Sequence, residues 1–292
     1  MKQNLVVVKD NNLISASYKL SLMEQRIILC CISKIDSTKA LTEEEGFTIS
    51  VSDIQSMMTD NRNIASLYDD VKSAVERLWN REIKLDQNGS ALRWVVQKDM
   101  YHENEGKVTL HFSSKIIPYL STLKENFTKY RLEWVSTFKS THSIRIYELL
   151  IQHEWQHTGE RELELHWLKN ILQVSDKYSR TNNFIQKLLT PCVNEINECS
   201  NLSVTFNVKK TGRKITHIQF YFNNKNKEFV KKIDKPKLKN KTDKTEQLPT
   251  TKTEREMLIE EFANSRKRFA NAVNESNVPA DIVGILKSQG RW

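Results

Sequence analysis

The sequence predicts an α+β fold in which one kind of domain occurs twice in tandem, followed by a basic linker and a C-terminal helical tail. Two observations indicate that the domain is duplicated. The order helix, strand, two helices and paired strands occurs twice, with matching elements about 110 to 120 residues apart. Each copy also has its own apolar periodicity, so each can bury a core. A third observation sets the end of the repeat, because the composition becomes lysine-rich and poor in apolar residues after residue 223.

The first copy begins with a helix predicted over Leu20–Ile35, LSLMEQRIILCCISKI, in which apolar residues recur at helical spacing. Ser21 is placed to cap this helix, and Glu24 lies in its first turn. FTISVSDIQSMM predicts a short strand and then a second helix capped by Ser52, and a third helix is predicted over Ile64–Trp79. Alternating strands follow in REIKLDQ, ALRWVVQKDMYHE and KVTLHFS, separated by turns at Asn88-Gly89 and Glu105-Gly106.

The second copy repeats this order. Helices are predicted over Ser143–His153 and Asn182–Cys199, with the strand and helix of ELELHWLKNILQV between them. The strands LSVTFNV and ITHIQFYF follow and are joined by KKTGRK. Three helices followed by a strand hairpin is the winged-helix order, so we predict two winged-helix domains joined near Tyr130–Phe138. The matched positions are Arg26 with Arg145, Tyr68 with Tyr178 and Leu85 with Phe206.

These elements divide the chain into segments. We predict an N-terminal winged-helix domain over 1–132 and a C-terminal winged-helix domain over 133–223, then a lysine-rich linker over 224–253 and a helical tail over 254–292. The linker combines lysines with prolines and cannot build a core. The tail is predicted to be helical because Met257, Leu258, Phe262, Phe269 and Val273 fall at helical spacing.

The composition favours a soluble protein with a polyanionic partner. The 45 Lys and Arg residues exceed the 36 Asp and Glu residues, which leaves a net charge of +9. The longest apolar run, IILCCI, is too short to cross a bilayer and the start shows no export signal, so we expect a cytoplasmic protein without a membrane contact. None of the seven glycines stands in a nucleotide-binding motif, and we expect no cofactor. The four cysteines are expected to be buried, reduced thiols.

The third helix of the second copy has an apolar stripe and a polar amino end. The stripe is formed by Phe184, Ile185, Leu188, Leu189, Cys192, Val193 and Ile196, and Pro191 is expected to bend the helix. No carboxylate occurs between Asp176 and Glu195. A helix that enters the major groove uses its first turns to contact base edges and phosphates. The predicted DNA contacts are Lys177, Ser179, Arg180, Thr181, Asn182, Asn183, Gln186 and Lys187.

The hairpin loop that follows adds a cluster of basic residues, which predicts a wing lying along the DNA backbone or minor groove. Its predicted contacts are Lys209, Lys210, Arg213 and Lys214. The first copy is less distinctive, because Asp69 and Asp70 would repel phosphate and the turn 87–90 is uncharged. A weaker DNA contact and a protein interface both fit it. Its candidate DNA contacts are Arg62, Asn63, Ser66, Lys72 and Arg77.

The sequence offers little support for an enzymatic function. The run His153-Glu154-Trp155-Gln156-His157 matches the zinc motif H-E-x-x-H, with Glu160, Glu162 and Glu164 as candidate third ligands, so a zinc metallopeptidase is a remote alternative. The match falls at a predicted helix end and lacks the longer extension with a third histidine. A rolling-circle nickase would need two histidines separated by one residue, and no two of the seven histidines have that spacing. We expect no enzymatic activity and no bound metal.

The chain resembles the iteron-binding replication initiators of theta-replicating bacterial plasmids, the Rep proteins with two winged-helix domains. The resemblance rests on LSLMEQRIILCCISKI, on FTKYRLEWVSTFKSTHSIRIYELL at the junction, and on FIQKLLTPCVNEIN followed by VTFNVKKTGRKITHIQFYF. It covers about residues 4–223. It implies that the helix from Tyr178 through Lys187 reads the origin repeat, while the N-terminal domain contacts another part of the repeat and forms the dimer.

The resemblance also implies a set of partners. Monomers would bind repeated origin sequences in double-stranded DNA, help to open the duplex and load host replication proteins such as the replicative helicase and the host initiator. Homodimers in equilibrium with the monomers would repress the protein's own gene and so control copy number. A two-domain transcriptional repressor without a replication role is the main alternative, since it shares every residue-level argument. Direct repeats beside an A·T-rich segment would favour initiation, and a single inverted repeat would favour repression.

Overall fold

The computed structural model describes residues 5–58, 63–85, 91–102, 106–153 and 159–225, with the backbone alone for 97–102. These residues form two winged-helix domains of mixed helix and strand content, which confirms the predicted fold class. The predicted tail and all of the predicted linker except Asn224 and Lys225 lie outside the described residues. None of the described helices is long and apolar enough to cross a bilayer.

The chain begins with β1 (Val6–Asp10), α1 (Asn11–Ser15), β2 (Ser17–Tyr18) and α2 (Leu22–Ile32). The predicted start of α2 is confirmed in detail. Ser21 accepts a hydrogen bond from the Glu24 amide, and the Glu24 carboxylate accepts one from the Ser21 amide, so the two residues form a capping box. Residues 24 to 32 of the helix are all buried, which makes α2 the central helix of the first domain.

The next elements are β3 (Gly46–Ser50), α3 (Val51–Gln55) and α4 (Ile64–Leu78). The predicted cap of α3 is wrong by two residues, because Ser50 caps the helix in place of Ser52. Ser50 and Asp53 exchange side-chain and backbone hydrogen bonds, while the Ser52 hydroxyl bonds to that of Ser50. Strand β3 runs directly into the cap, since Ser50 still pairs with Lys107.

Two hairpins complete the first domain, formed by β4 (Glu82–Lys84), β5 (Leu92–Arg93), β6 (Val95–His102) and β7 (Lys107–Phe112). The single strand predicted over ALRWVVQKDMYHE is divided at Trp94, whose buried ring packs edge-on against Tyr18 at 5.0 Å. The first hairpin joins β2 through β4, in the order β2-β4-β5, whereas the second joins β3 through β7, in the order β3-β7-β6. The predicted turn Asn88-Gly89 lies outside the described residues, as does Glu105, and Gly106 has a left-handed φ of 59°.

A short 3-10 helix (Ile117–Tyr119), β8 (Phe127–Arg131) and α5 (Glu133–Ser136) lead to the second domain. That domain contains α6 (Thr141–Ile151), β9 (Glu160–Glu164), α7 (Leu165–Ile171), α8 (Thr181–Phe184), a π-helical turn (Ile185–Leu189), α9 (Thr190–Cys199), β10 (Leu202–Thr211) and β11 (Lys214–Asn224). Its sheet has the order β10-β11-β9, which matches β6-β7-β3 in the first domain. The strand order therefore confirms the duplication.

The strand order also corrects the register of the repeat. Arg26 and Arg145 do match, since each is the fifth residue of α2 and of α6. Tyr68 does not match Tyr178, because Tyr68 lies inside α4 and Tyr178 precedes α8. Leu85 does not match Phe206, because the β4–β5 hairpin is an addition of the first domain. The wing of the first domain is accordingly the β6–β7 hairpin, and not the turn at 87–90 that the sequence suggests.

A buried cluster of charged and hydroxyl groups joins β1 and β8 to α6. The Lys9 ammonium and the Tyr130 hydroxyl both donate to Glu148 Oε1 at 2.6 Å. The Arg145 guanidinium donates to Glu148 Oε2 and to the Tyr18 hydroxyl. Burial raises the pKa of Glu148, but Lys9 and Arg145 more than offset this, so the pKa lies below its usual range. Burial lowers the pKa of Lys9.

The cysteine prediction holds for most of the thiols. Cys30, Cys31 and Cys192 are buried and free. Cys199 is also free, but it is exposed at the carboxyl end of α9, so the prediction that it is buried is wrong. The apolar stripe of this helix ends at Ile196, and position 199 falls on its solvent face.

Candidate nucleic-acid interface

The helical stretch from Thr181 to Cys199 presents a buried stripe to the body of the second domain. The buried members of the stripe are Phe184, Leu188, Leu189, Cys192, Val193 and Ile196, while Ile185 is half-buried. The predicted orientation of the helix is therefore confirmed. The helix is irregular near Pro191, where a π-helical turn ends two residues before the proline. This turn widens the backbone spacing at the place where a proline ring would clash with an α-helical carbonyl.

The amino end of this stretch is polar, basic and open to solvent. Arg180 occupies the N-cap position, and its side chain makes no capping hydrogen bond among the described residues. Thr181 and Asn183 are half-buried, and the other predicted contacts at this end are exposed: Lys177, Ser179, Arg180, Asn182, Gln186 and Lys187. A helix amino end with amides and cations and without a nearby carboxylate attracts anions. The tip can therefore approach a phosphate backbone.

Lys169 positions the segment that leads into this helix. From the last turn of α7, its ammonium donates to the Tyr178 carbonyl at 2.9 Å and lies 5.4 Å from the centre of the Phe184 ring. The Tyr178 ring packs edge-on against Phe184 at 5.9 Å. This role could not be found from the sequence, since a lysine near a helix end gives no signal of a partner nine residues away.

The β10–β11 hairpin forms the predicted wing, but with a tighter turn than the sequence suggests. Thr211 pairs with Lys214, so only Gly212 and Arg213 form the turn, and Gly212 has a left-handed φ of 60°. The four basic side chains of the wing are all exposed: Lys209, Lys210, Arg213 and Lys214. Lys209 is bound by both carboxylate oxygens of Glu162 at 3.0 Å. The other three cations make no ion pair within the described part of the chain.

The candidate contacts of the first domain are spread along α4. Asn63 caps the helix by accepting from the Ala65 amide, and the Ser66 hydroxyl donates to the Asn63 carbonyl, so these two residues lie together at its amino end. Lys72 is exposed in the middle of the helix, and Arg62 lies outside the described residues. Arg77, in the last turn, is bound to the buried Glu24 at 3.0 Å.

Glu24 holds two cations of the first domain at the base of α4. Arg77 and Arg81 both donate to its carboxylate. Burial raises the pKa of Glu24, but hydrogen bonds from Arg81, Ser21 and Arg77 lower it by more, so the pKa falls below its usual range. Arg77 thus has a structural partner at the end of α4 opposite to Asn63. Asp69 and Asp70 are exposed on the face between them.

The zinc motif is only partly described. α6 ends at Ile151, so His153 follows the helix, while residues 154–158, including Glu154 and His157, lie outside the described residues. The described side chains contain no group of three or more His, Cys, Asp or Glu residues that could hold a metal ion. Glu160, Glu162 and Glu164 belong to the edge strand β9, and Glu162 is paired with Lys209.

Comparisons with known proteins give consistent matches. Residues 6–151 match a family model described as initiator replication protein, WH1, and residues 164–222 match one described as initiator Rep protein, WH2. A replication initiation protein of Escherichia coli is 29% identical over 257 residues, which covers 85% of this chain and 78% of that protein. An uncharacterized 27.6 kDa protein of Escherichia coli is 23% identical over 228 residues, or 73% of this chain and 93% of that protein.

The fold comparison agrees with these matches. The crystal structure of Pi initiator protein in complex with iteron DNA aligns with a TM-score of 0.65 at 22% sequence identity. The alignment covers 77% of this chain and 99% of that chain. The two proteins therefore share the arrangement of two winged-helix domains.

Proposed function

Because the chain belongs to the family of replication initiator proteins with two winged-helix domains, WH1 and WH2, we propose that it initiates plasmid replication by binding iterons, the repeated origin sequences, in double-stranded DNA. One observation carries the proposal. The helix from Thr181 to Cys199 is fixed by its buried stripe so that a basic, carboxylate-free amino end faces solvent. The Pi initiator protein, which has the same fold, was crystallised with iteron DNA.

The proposed contacts divide by chemistry. Arg180, Asn183 and Gln186 carry guanidinium or amide groups that can form paired hydrogen bonds with purine edges in the major groove. Lys177, Ser179, Thr181, Asn182, Lys187 and the helix amino end would bind phosphates. On the wing, Lys210, Arg213 and Lys214 would bind the neighbouring backbone, and Lys209 would have to leave Glu162 to do so.

In the proposed function, the two domains have different roles. Residues 133–223 would read the main part of each repeat. Residues 1–132 would make the second DNA contact through Asn63, Ser66 and Lys72, and would form the homodimer that is in equilibrium with the monomer. Monomers would promote origin opening and recruit the host helicase and host initiator, while dimers would repress the gene. The family resemblance supports this division, and residues 224–292 have no assigned part in it.

A footprint on the DNA that flanks the gene tests the proposed function. We expect protection of several direct repeats beside an A·T-rich segment, and we expect a plasmid that carries this segment to replicate only when the protein is supplied. Protection of a single inverted repeat, together with repression but no replication, would instead establish a transcriptional repressor. Absence of any protected site would remove the proposal.

Arg180→Ala or Asn183→Ala should each cost about 1 to 3 kcal/mol of binding free energy and relax the preference at one base position, since the substitution removes a paired hydrogen bond to one base edge. The measurement is the affinity for a set of duplexes in which each base pair of one repeat is changed in turn. Lys187→Ala is the matched comparison, because removal of a phosphate-binding side chain should weaken binding to all duplexes equally. An equal reduction on all duplexes for Arg180→Ala would assign that side chain to phosphate binding.

The wing should determine part of the salt dependence of binding. Replacing Lys210, Arg213 and Lys214 together by Gln should flatten the slope of log K against log salt by up to about 0.9 for each phosphate that is no longer neutralised. The control replaces Lys115, Lys124 and Lys129 of the first domain by Gln, which removes the same charge from exposed positions elsewhere. A slope equal to that of the control would exclude the wing from the interface.

A further inference from the structure

A cavity of about 190 Å³ lies between the two domains, where α2 and α6 both begin. The residues that line it come from both domains: Tyr18, Lys19, Leu20 and Gln25 on one side, and Thr141, His142, Arg145, Leu172, Gln173 and Lys177 on the other. The cavity adjoins the exposed segment that leads into the helix from Thr181 to Cys199, because Lys177 belongs to both. The residues that give it chemical character are Lys19, Gln25, Thr141, His142, Arg145 and Lys177.

The charge around this cavity has one sign. Lys19, Arg145 and Lys177 contribute cations, and none of the described residues that line it is Asp or Glu. Arg145 is balanced by Glu148, but the exposed ammonium groups of Lys19 and Lys177 make no ion pair among the described residues. Burial lowers the pKa of His142, and Lys177 and Arg145 lower it further, as a positive local potential would.

Two buried donors of the lining have no acceptor among the residues that the structure describes. Gln25 is 2% exposed, and its side-chain nitrogen has no hydrogen-bond partner within the described structure. The same holds for Nε of Arg145, whose terminal nitrogens are otherwise occupied by Tyr18, Glu148 and two carbonyls. Buried donors in folded proteins are nearly always hydrogen-bonded, so we expect a bound acceptor next to both nitrogens. The amino end of α6, at Thr141, carries the positive end of the helix dipole, which also favours an anion.

We propose that this cavity binds a phosphate-class oxyanion between the two winged-helix domains. Such a group offers acceptors in several directions, which matches a lining that supplies donors and cations from both sides. Gln25 and Lys19 hold it from the first domain, and Arg145, Lys177 and the amino end of α6 hold it from the second. The anion can be free in solution or can be a backbone phosphate of bound DNA, and the second source rests on the proposed function.

Calorimetric titration of the full-length protein with inorganic phosphate, at ionic strength held constant with chloride, tests the proposal. We expect saturable binding of one phosphate per chain. Gln25→Met removes the amide at similar volume and Lys19→Gln removes the exposed ammonium, and each should weaken phosphate binding about tenfold through loss of one hydrogen bond to a charged group. Lys115→Gln, on the exposed surface of the first domain, should leave it unchanged.

Two results would overturn the proposal. The first is a titration without saturable phosphate binding, which would mean that water fills the cavity. The second is an equal affinity for phosphate in Lys19→Gln and in the unaltered protein. A second titration, with the protein saturated by duplex DNA, separates the two sources of the anion. DNA phosphate in the cavity would abolish the binding of inorganic phosphate, whereas a free-anion site would keep it. The first titration contains no DNA, so its outcome is independent of whether the protein binds origin repeats.

Discussion

Glu148→Ala is expected to lower the free energy of unfolding by about 3 to 5 kcal/mol, because it leaves two buried cations without their carboxylate. Glu148 is fully buried, and so are Lys9 at 1% exposed and Arg145 at 3% exposed. Lys9 lies on β1 and Arg145 on α6, so the destabilisation falls on the contact between the start of the chain and the first helix of the second domain. Urea unfolding at neutral pH measures the change.

Glu133→Ala is the matched control for this experiment. Glu133 also pairs with an arginine, Arg131, but both side chains are about half exposed, at 50% and 51%. Exposed pairs of this kind contribute about 0 to 1 kcal/mol. If Glu148→Ala cost no more than Glu133→Ala, the buried cluster would not be ionised and would not hold the two domains together.

Leu188→Ala is expected to cost about 2 to 5 kcal/mol of folding stability, since a large buried side chain leaves a cavity when it is truncated. Leu188 is 4% exposed and lies in the middle of the stripe that fixes the helix from Thr181 to Cys199. Glu198→Ala on the exposed face of the same helix serves as the control and should change stability little. Equal unfolding free energies for the two variants would mean that the stripe does not anchor the helix.

Features with local causes could be predicted from the sequence. The start of α2 follows from Ser21 and Glu24, which lie three residues apart and satisfy each other's backbone donors. The orientation of the helix from Thr181 follows from apolar residues at helical spacing, which is also a local pattern. The cap of α3 is harder to predict because both Ser50 and Ser52 have a suitable partner three residues on. Pairing of Ser50 with the distant Lys107 decides between them.

Features with distant partners could not be predicted. Both hairpins of the first domain alternate in the same way, and only their pairing with β2 or β3 shows which one is the wing. Lys9 and Glu148 are 139 positions apart, and nothing near either residue indicates the other. The structural role of Arg77 is hidden for the same reason, because its partner Glu24 lies 53 positions away. Long-range pairs of this kind depend on the folded topology.

The central claim is that the amino end of the helix from Thr181 to Cys199 contacts the origin repeat. DNA cleavage from a reagent tethered to this helix tests that claim most directly. An iron chelate that generates short-lived radicals is attached either at position 186, in a Gln186→Cys, Cys199→Ser protein, or at the native Cys199. Both sites are exposed, while Cys30, Cys31 and Cys192 are buried and escape labelling. The two attachment points are about 20 Å apart along the helix, at roughly 1.5 Å per residue.

We expect cuts inside each origin repeat from position 186 and much weaker cutting from Cys199, because in the proposed orientation the amino end of the helix would enter the groove and the carboxyl end would stay outside it. Equal cleavage from both positions, or cuts from position 186 that fall only outside the repeats, would contradict this orientation of the helix on DNA.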